Sequence, residues 1–374
     1  MDDIREITPA RAFALMARGA RLVDVRESDE HALGTPRGAL ALPRARLEAD
    51  PSPALGEDCD LLLICGTGKR SRQAAEALAA QGIRRLHSVT GGYAAWQAAG
   101  LPIDAEEDPD FVERYSRHLR LPQVGLQGQK TLASSRVLLV GAGGLGSPAG
   151  LYLAAAGVGH LRVVDDDRVD RSNLQRQVLH TEDRIGLLKV ESAAVALGAL
   201  NPRVSIEAMP ERVTAENVES LLQDVDVVLD GADNFPTRYL LSDACVQLGK
   251  PLVHGAVHRF EGQASVFDAG RQRGVAPCYR CLFPEPPRDE DAPNCAEAGV
   301  LGVLPGIIGL LQAAETIKLL LGLGTSLSGR LLHFDALSMR FRETRLAPDP
   351  DCLVCAPGRV FPGYREIDAV CAAR

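Results

Sequence analysis

Residues 136–146 read RVLLVGAGGLG, an apolar, β-prone run that ends in glycines and opens onto the small-residue segment SPAGLYLAAAG. The first run suits a buried strand and the second a helix, so the glycines must form the tight turn between them. The spacing Gly141-x-Gly143-x-x-Gly146, with Gly144 inside it, lets a phosphate approach bare backbone at a helix N-terminus. The next strand, HLRVVD, ends in Asp165, 19 residues after Gly146. A carboxylate there can take ribose hydroxyls. By itself the pattern suggests NAD or FAD.

The chain has 374 residues, enough for two or three domains. Apolar residues make up 46% and charged residues 24%, which excludes disordered and collagen-like classes. Lys and Arg number 41 against 49 Asp and Glu, a net charge of −8. That balance argues against nucleic acid or an anionic membrane as partner. Only five of the cations are lysines, among them Lys69 and Lys189. Residues 104–113 hold six carboxylates in ten residues and read as an exposed linker. The expected organisation is therefore a domain over 1–103, a linker over 104–113, a second domain over 114–358 and a tail over 359–374. Residues 1–103 carry 13 basic and 13 acidic side chains, so the charge excess sits on the rest. The N-terminal MDDIREITPA has no signal-peptide pattern, and the apolar run 298–311, 14 residues, is too short to span a bilayer. Nine cysteines without an export signal fit reduced thiols, metal ligands or catalytic sulfur rather than a disulfide framework. A cytoplasmic location is expected.

The first part alternates a helix (8–18), strands (21–25, 61–65, 84–89) and a helix (71–82), the pattern of a small α/β domain. Cys65 ends an apolar strand, and Gly66-Thr67-Gly68-Lys69-Arg70-Ser71 then opens a helix. Backbone N–H groups at such a junction favour an anion. Lys69 and Arg70 add positive charge, and together these features should depress the thiol pKa and hold a thiolate or persulfide. The plain alternative is a small buried residue at a strand end. LVDVRESDE, CGTGKRS and GGYAAW resemble a rhodanese domain, a sulfurtransferase module whose loop cysteine carries a persulfide. The resemblance covers residues 1 to about 103, with TPRGALALP standing where that family has a His-containing GHIPGA segment. Phosphatases of a related fold use C-x5-R. Here Arg70 comes one place early and Ser71 takes the sixth place, a shorter loop that fits sulfur rather than a phosphoryl group.

In the second part Asp165 is followed by Asn173, Arg176 and Lys189, and a later strand leads into Asp233-Asn234. Arg176 and Lys189 can neutralise a triphosphate and Asp233 can hold Mg²⁺. Hydride transfer needs no such set, although each residue alone also suits a solvated helix or a turn. RYSRHLRLP, SNLQRQ, ADN, CYRC, NCAEAGVLG and the final C-x-x-C resemble the ubiquitin-activating-enzyme-like adenylyltransferases of the MoeB/ThiF family, which activate sulfur-carrier proteins. The match runs from Arg114 to Cys355. The resemblance implies a Rossmann-like adenylating domain with a mostly parallel sheet. It implies ATP and Mg²⁺ on Gly141, Gly143, Gly144, Gly146, Asp165, Asn173, Arg176, Lys189, Asp233 and Asn234. It also implies that Arg117 reaches the ATP of a neighbouring subunit, hence a homodimer.

Cys278-x-x-Cys281 and Cys352-x-x-Cys355 are two knuckles whose four thiolates could close a tetrahedral structural Zn²⁺ site. Seventy residues separate them, so spacing alone leaves a redox pair open; the resemblance implies zinc. Cys295 lies in a polar, Pro-rich stretch and is either a reactive thiol or a spectator. Cys59, Cys245 and Cys371 have no supporting context. The expected activity is ATP-dependent adenylation of the C-terminal glycine of a small ubiquitin-like sulfur carrier ending in Gly-Gly. Persulfide transfer from Cys65, fed by a cysteine desulfurase or thiosulfate, would then form a thiocarboxylate. The alternatives are conjugation through a Cys295 thioester, a non-catalytic nucleotide-binding scaffold and an NAD dehydrogenase.

Overall fold

The computed structural model describes residues 4–55, 59–105, 107–286 and 299–364. Cys295 and Cys371 lie outside the described residues. The chain packs as two units, divided after Leu126.

The first unit is built on a parallel sheet of β1 (Ile4–Ile7), β2 (Arg21–Asp24), β4 (Leu40–Ala41), β5 (Leu61–Ile64) and β6 (Leu86–Val89), in the order β1-β6-β5-β2-β4. All four residues of β5 are apolar and buried, because helices cover both faces of a parallel sheet. Successive side chains alternate between faces. Leu62 and Ile64 meet Trp96 and Ala12 on one face. Leu61 and Leu63 meet Leu47, Ala74 and Leu78 on the other. A two-strand ladder pairs β3 (Thr35–Pro36) with β7 (Ile103–Asp104).

The acidic run takes regular structure along much of its length. Asp104 lies in β7, and Asp108 caps a helix over Pro109–Arg114 by accepting from the Asp110 amide. Phe111, Tyr115 and Leu119 recur every four residues and bury together, with Leu33 against them. This stripe explains why the packing division falls after Leu126 rather than inside the carboxylate run.

The second unit has one sheet of β8 (Arg136–Val140), β9 (His160–Val164), β10 (Ser205–Met209), β11 (Val227–Asp230), β12 (Leu252–His258), β13 (Glu261–Phe267), β14 (Arg330–Asp335) and β15 (Arg340–Arg345). Their order is β10-β9-β8-β11-β12-β13-β14-β15. Pairing is parallel from β10 to β12 and antiparallel from β12 to β15. From β8 the chain winds outward through β9 and β10, then returns to the other side through β11. The strand order thus reverses between β8 and β11, and a crevice must open at their carboxyl ends.

The helix Val303–Leu321 has the length and apolarity of a membrane span, but it covers this sheet. Gln312 Nε2 donates to the carbonyls of Asp230 and Val253 at 2.7 and 3.1 Å. The Glu315 carboxylate accepts from the Leu327 amide at 2.8 Å. A Cβ on Gly262 would sit 2.5 Å from Ile308, so the helix lies directly on the strands.

Trp96 is the one tryptophan of the chain and reports on the first unit. Leu62→Ala removes a fully buried contact of its cluster and should cost that unit about 2–5 kcal/mol. Urea unfolding followed by indole fluorescence measures the loss.

Candidate functional site

A cleft with about 970 Å³ of empty volume, open mouth included, lies at the β8–β11 switch point. The glycine loop forms its floor. Gly141 has φ +89°, and a Cβ there would lie 2.7 Å from the Gly231 carbonyl. A Cβ on Gly146 would lie 1.8 Å from the Gly141 oxygen, so the turn into the helix Gly146–Ala156 admits only glycine. Gly144 is tight against Pro305, whereas Gly143 is open toward the cleft.

The charged residues expected from sequence converge on this space. Asp165, Arg176, Lys189, Asp233 and Asn234 all line the cleft. Asp165 accepts from the amides of Ala142 (2.8 Å) and Asp167 (2.9 Å), which ties the carboxylate to the glycine loop. Burial pushes its carboxyl above the ordinary range, against the opposing pull of Lys189 and these amides. Lys189 is nearly buried and its Nζ lies 2.7 Å from Asp167 Oδ2. Arg176 donates to Asn173 Oδ1 at 2.9 Å, so Asn173 orients the guanidinium. Asp233 is exposed on the cleft wall. Asn234 caps the helix Phe235–Leu248 by accepting from the Thr237 amide at 3.0 Å. Its side-chain oxygen thus holds the helix that presents Asp233. Carboxylate oxygens of Asp165, Asp166 and Asp167 lie within 4.8 Å of one another, a second acidic set lining the same cleft. Arg117 is an exposed residue of the first unit.

The two knuckles meet despite their separation in sequence. Sγ–Sγ distances are 3.8 Å for Cys278–Cys281, 3.6 Å for Cys278–Cys352 and 3.4 Å for Cys281–Cys355, with all four sulfurs within 4.8 Å. Ligands about 2.3 Å from a tetrahedral ion stand roughly 3.8 Å apart, so the donor set fits zinc. The neighbouring thiols, with burial, push the Cys278 thiol far above its ordinary range. A divalent cation would allow four thiols this close to ionise together.

In the first unit Cys65 is buried at the end of β5, and its Sγ accepts from the Gly68 amide at 3.2 Å. Gly68, with φ +96°, turns the loop into the helix Lys69–Ala80. Burial raises the thiol pKa, but the Ser71 hydroxyl and the amides of Ser71, Thr67 and Gly68 outweigh it, so the net shift is downward. The Ser71 hydroxyl is placed by Gly68 O (3.0 Å) and Ser88 Oγ (2.9 Å). Arg70 also has a partner that the sequence did not mark. Its guanidinium makes two bonds of 2.6 and 2.7 Å to the Glu30 carboxylate, which compensates its charge. Lys69 is exposed. The oriented N–H groups and Ser71 acidify the thiol, and the charge interaction between Cys65 and Arg70 acts in the same sense.

Residues 115–354 match the ThiF family and residues 8–99 match the rhodanese-like domain. The chain belongs to the ThiF family. Among ThiF-family relatives, the SAMP-activating enzyme E1 of Haloferax volcanii is 54% identical over 270 residues, 72% of this chain and 96% of that protein. The sulfur carrier protein adenylyltransferase of Thermus thermophilus is 51% identical over 264 residues, 70% of this chain and 97% of that protein. The adenylyltransferase and sulfurtransferase MOCS3 of Drosophila sechellia is 51% identical over 261 residues, 70% of this chain and 57% of that protein. A crystal structure of E. coli MccB with AMPCPP and MccA superposes with a TM-score of 0.57 at 20% identity, covering 71% of this chain and 86% of that one, a likeness of fold.

Beyond the residues that the family motifs mark, the structure adds supports that no motif announced. His180 bridges Ser192 Oγ and the Ala142 carbonyl, both at 2.9 Å, and so joins the Lys189 helix to the glycine loop. Burial lowers the pKa of its imidazole. Asp230 accepts from the Ala232 amide (3.0 Å) and from His254 (2.8 Å) beneath the loop that carries Asp233. The His180–Ala142 and His254–Asp230 contacts join segments 38 and 24 residues apart, so no local spacing reveals them.

The Cys65 geometry gives a pH prediction. Alkylation of Cys65 by iodoacetamide, followed by peptide mass spectrometry, should have its midpoint below the ordinary thiol value of 9.0. Ser71→Ala removes the hydroxyl that favours the thiolate and should move that midpoint upward. A midpoint unchanged by Ser71→Ala would show that the amides suffice.

Proposed function

We propose that this ThiF-family chain adenylates the C-terminal glycine of a ubiquitin-like sulfur carrier ending in Gly-Gly and then sulfurates it through Cys65. The carrying observation is that Arg176, Lys189 and Asp233 line one cleft over the glycine loop, while an acidified cysteine stands on a rhodanese-type loop of the same chain. The sulfur carrier protein adenylyltransferase name of a relative matched over 97% of its length supports the same reading.

In the first reaction the carrier carboxylate attacks the α-phosphate of ATP and pyrophosphate leaves. Gly143 leaves room for phosphate against the backbone, while Lys189 and Arg176 offset charge on the phosphates, so the contribution is positioning and electrostatics. Asp165 suits the ribose hydroxyls. Asp233 is the proposed Mg²⁺ ligand, and the metal would neutralise phosphate oxygens there. Arg117, donated by a second copy of the chain, would complete the site in a homodimer. The four cysteines of the knuckles would hold a structural Zn²⁺.

In the second reaction Cys65, charged as a persulfide by a desulfurase or thiosulfate, attacks the acyl-adenylate through its terminal sulfur. AMP leaves and an acyl disulfide to Cys65 forms. Two external thiols, which leave joined as a disulfide, then supply the two electrons that cleave the S–S bond, releasing the thiocarboxylate and regenerating Cys65. Carrying both groups on one chain raises their effective concentration. A cytoplasmic location fits the reduced thiols that this chemistry requires.

A second reading has one observation in its favour, the name SAMP-activating enzyme E1 borne by the relative that is 54% identical. On that reading the acyl-adenylate passes to Cys295 as a thioester for conjugation. Mass spectrometry of the carrier decides between them. Replacement of one oxygen by sulfur supports sulfuration, and an amide-linked adduct supports conjugation.

Cys65→Ala is expected to keep carrier-dependent ATP–pyrophosphate exchange and to abolish thiocarboxylate formation. A normal thiocarboxylate yield in that variant would remove Cys65 from the sulfur path. Asp233→Ala is expected to abolish exchange, and retained exchange would remove Asp233 from the metal site.

A further inference from the structure

Loop 231–234 leads from β11 to the helix Phe235–Leu248 and carries Asp233, the proposed Mg²⁺ ligand. The Asp233 side chain is exposed, so packing does not fix it, and its direction follows from the backbone before it. That backbone is held at Ala232. Asp230 Oδ1 accepts from the Ala232 amide at 3.0 Å, and Arg238 Nη2 donates to the Ala232 carbonyl at 2.8 Å. A peptide unit is planar, so anchoring the Ala232 carbonyl also anchors the amide and Cα of Asp233. Two side chains thus grip both peptide units of one residue, directly before the carboxylate.

The two halves of this grip are joined to each other. Arg238 Nε stands 3.8 Å from Asp230 Oδ2, an ion pair between a fully buried carboxylate and a mostly enclosed guanidinium. A buried carboxylate requires such a partner. Asp230 is seated by two further contacts. His254, its register neighbour on β12, donates through Nδ1 to Oδ2 at 2.8 Å, and Gln312 Nε2 donates to the Asp230 carbonyl at 2.7 Å. Arg238 stands four residues after Asn234, the helix cap. Helical side chains lean toward the N-terminus of their helix, which brings this guanidinium back onto the loop. Arg238 lines the cleft, as Asp233 does. Its charge is answered by Asp230 and a donor is used on Ala232, the arrangement of a brace rather than of a phosphate ligand.

We propose that Arg238 is a positioning residue for the nucleotide site: paired with Asp230, it clamps Ala232 and so sets the direction in which Asp233 presents its carboxylate to the metal of Mg·ATP. Arg238 acts through the backbone and leaves nucleotide contact to Lys189, Arg176 and the glycine loop. This rests on the adenylation reading.

Arg238→Lys tests it. The ammonium keeps a cation for Asp230, but the planar fork that reaches carboxylate and carbonyl together is lost. Calorimetric titration of the full chain, without carrier, should show Mg·ATP affinity weakened about five- to tenfold, the scale of one hydrogen bond. Affinity for ATP in EDTA should change less than about twofold. So should Mg·ATP affinity when the substitution is made in an Asp233→Ala background, because the path ends at Asp233. Asp230→Asn removes the charge but keeps an oxygen for the Ala232 amide. It should show the same metal-selective loss, and it decides by the same criteria if Arg238→Lys does not fold. Wild-type affinity for Mg·ATP in the substituted chain, an equal loss for metal-free ATP, or an undiminished loss in the Asp233→Ala background would overturn the proposal. Failure of the unsubstituted chain to bind Mg·ATP would overturn the adenylation reading itself. Mg·ATP affinity unchanged by Asp233→Ala alone would remove Asp233 from the metal site, and the proposal falls with either result.

Discussion

The close approach of backbone between the ends of β8 and β11 is the constraint on which the second unit depends. The Gly231 amide donates to the Val140 carbonyl at 2.8 Å, and the Gly141 amide donates to the Val164 carbonyl at 2.8 Å. Gly141, Gly146 and Gly231 leave no room for a Cβ. Because the two loops are held this near, the residues they carry face one space. Asp165 reaches the glycine loop from β9, and Asp233 stands on the wall that follows β11. A side chain at any of these glycines would separate the loops and dissolve the cleft before any charged residue could act.

The two candidate centres treat anions differently. The cleft uses long cationic side chains whose directions are set by neighbours: Asp167 for Lys189, Asn173 for Arg176 and Ala232 for Arg238. The Cys65 loop uses backbone amides and a hydroxyl, and its nearest arginine is compensated by Glu30. A buried thiolate is served better by short fixed dipoles, because an uncompensated guanidinium beside it would bring its own desolvation cost. A triphosphate carries more charge, and the proposed cleft for it is larger and more open, so full cations would be tolerated there. One chain thus contains both solutions, each suited to the size and burial of its anion.

Several features were legible because they are local. The strand 136–140 and the glycine turn follow from the four-residue apolar run 137–140 and the two glycine spacings after it. The Cys65 loop follows from a cysteine, two glycines and a helix start. Others were hidden because local signals were missing. The β12–β13 hairpin turns at Arg259-Phe260, with Arg259 at φ +51°, where glycine or asparagine would have marked it. The antiparallel half of the sheet was therefore not apparent. The acidic run concealed a helix, since Phe111 sits among carboxylates and finds its partners, Tyr115 and Leu119, beyond the run.

The sequence by itself determined which chemistries are present: a phosphate-type turn, a cationic and acidic set after it, a cysteine at a helix start and two pairs of thiols. Motif spacing conveys this because each requirement is met within one turn or one loop. Tertiary structure alone decided how these pieces serve one another. It closed a four-sulfur cluster across seventy residues. It paired Arg70 with Glu30, and it packed Tyr279 of the knuckle against Tyr239 of the helix that borders the cleft. Such pairings depend on which strands become neighbours, and a linear spacing carries no record of that.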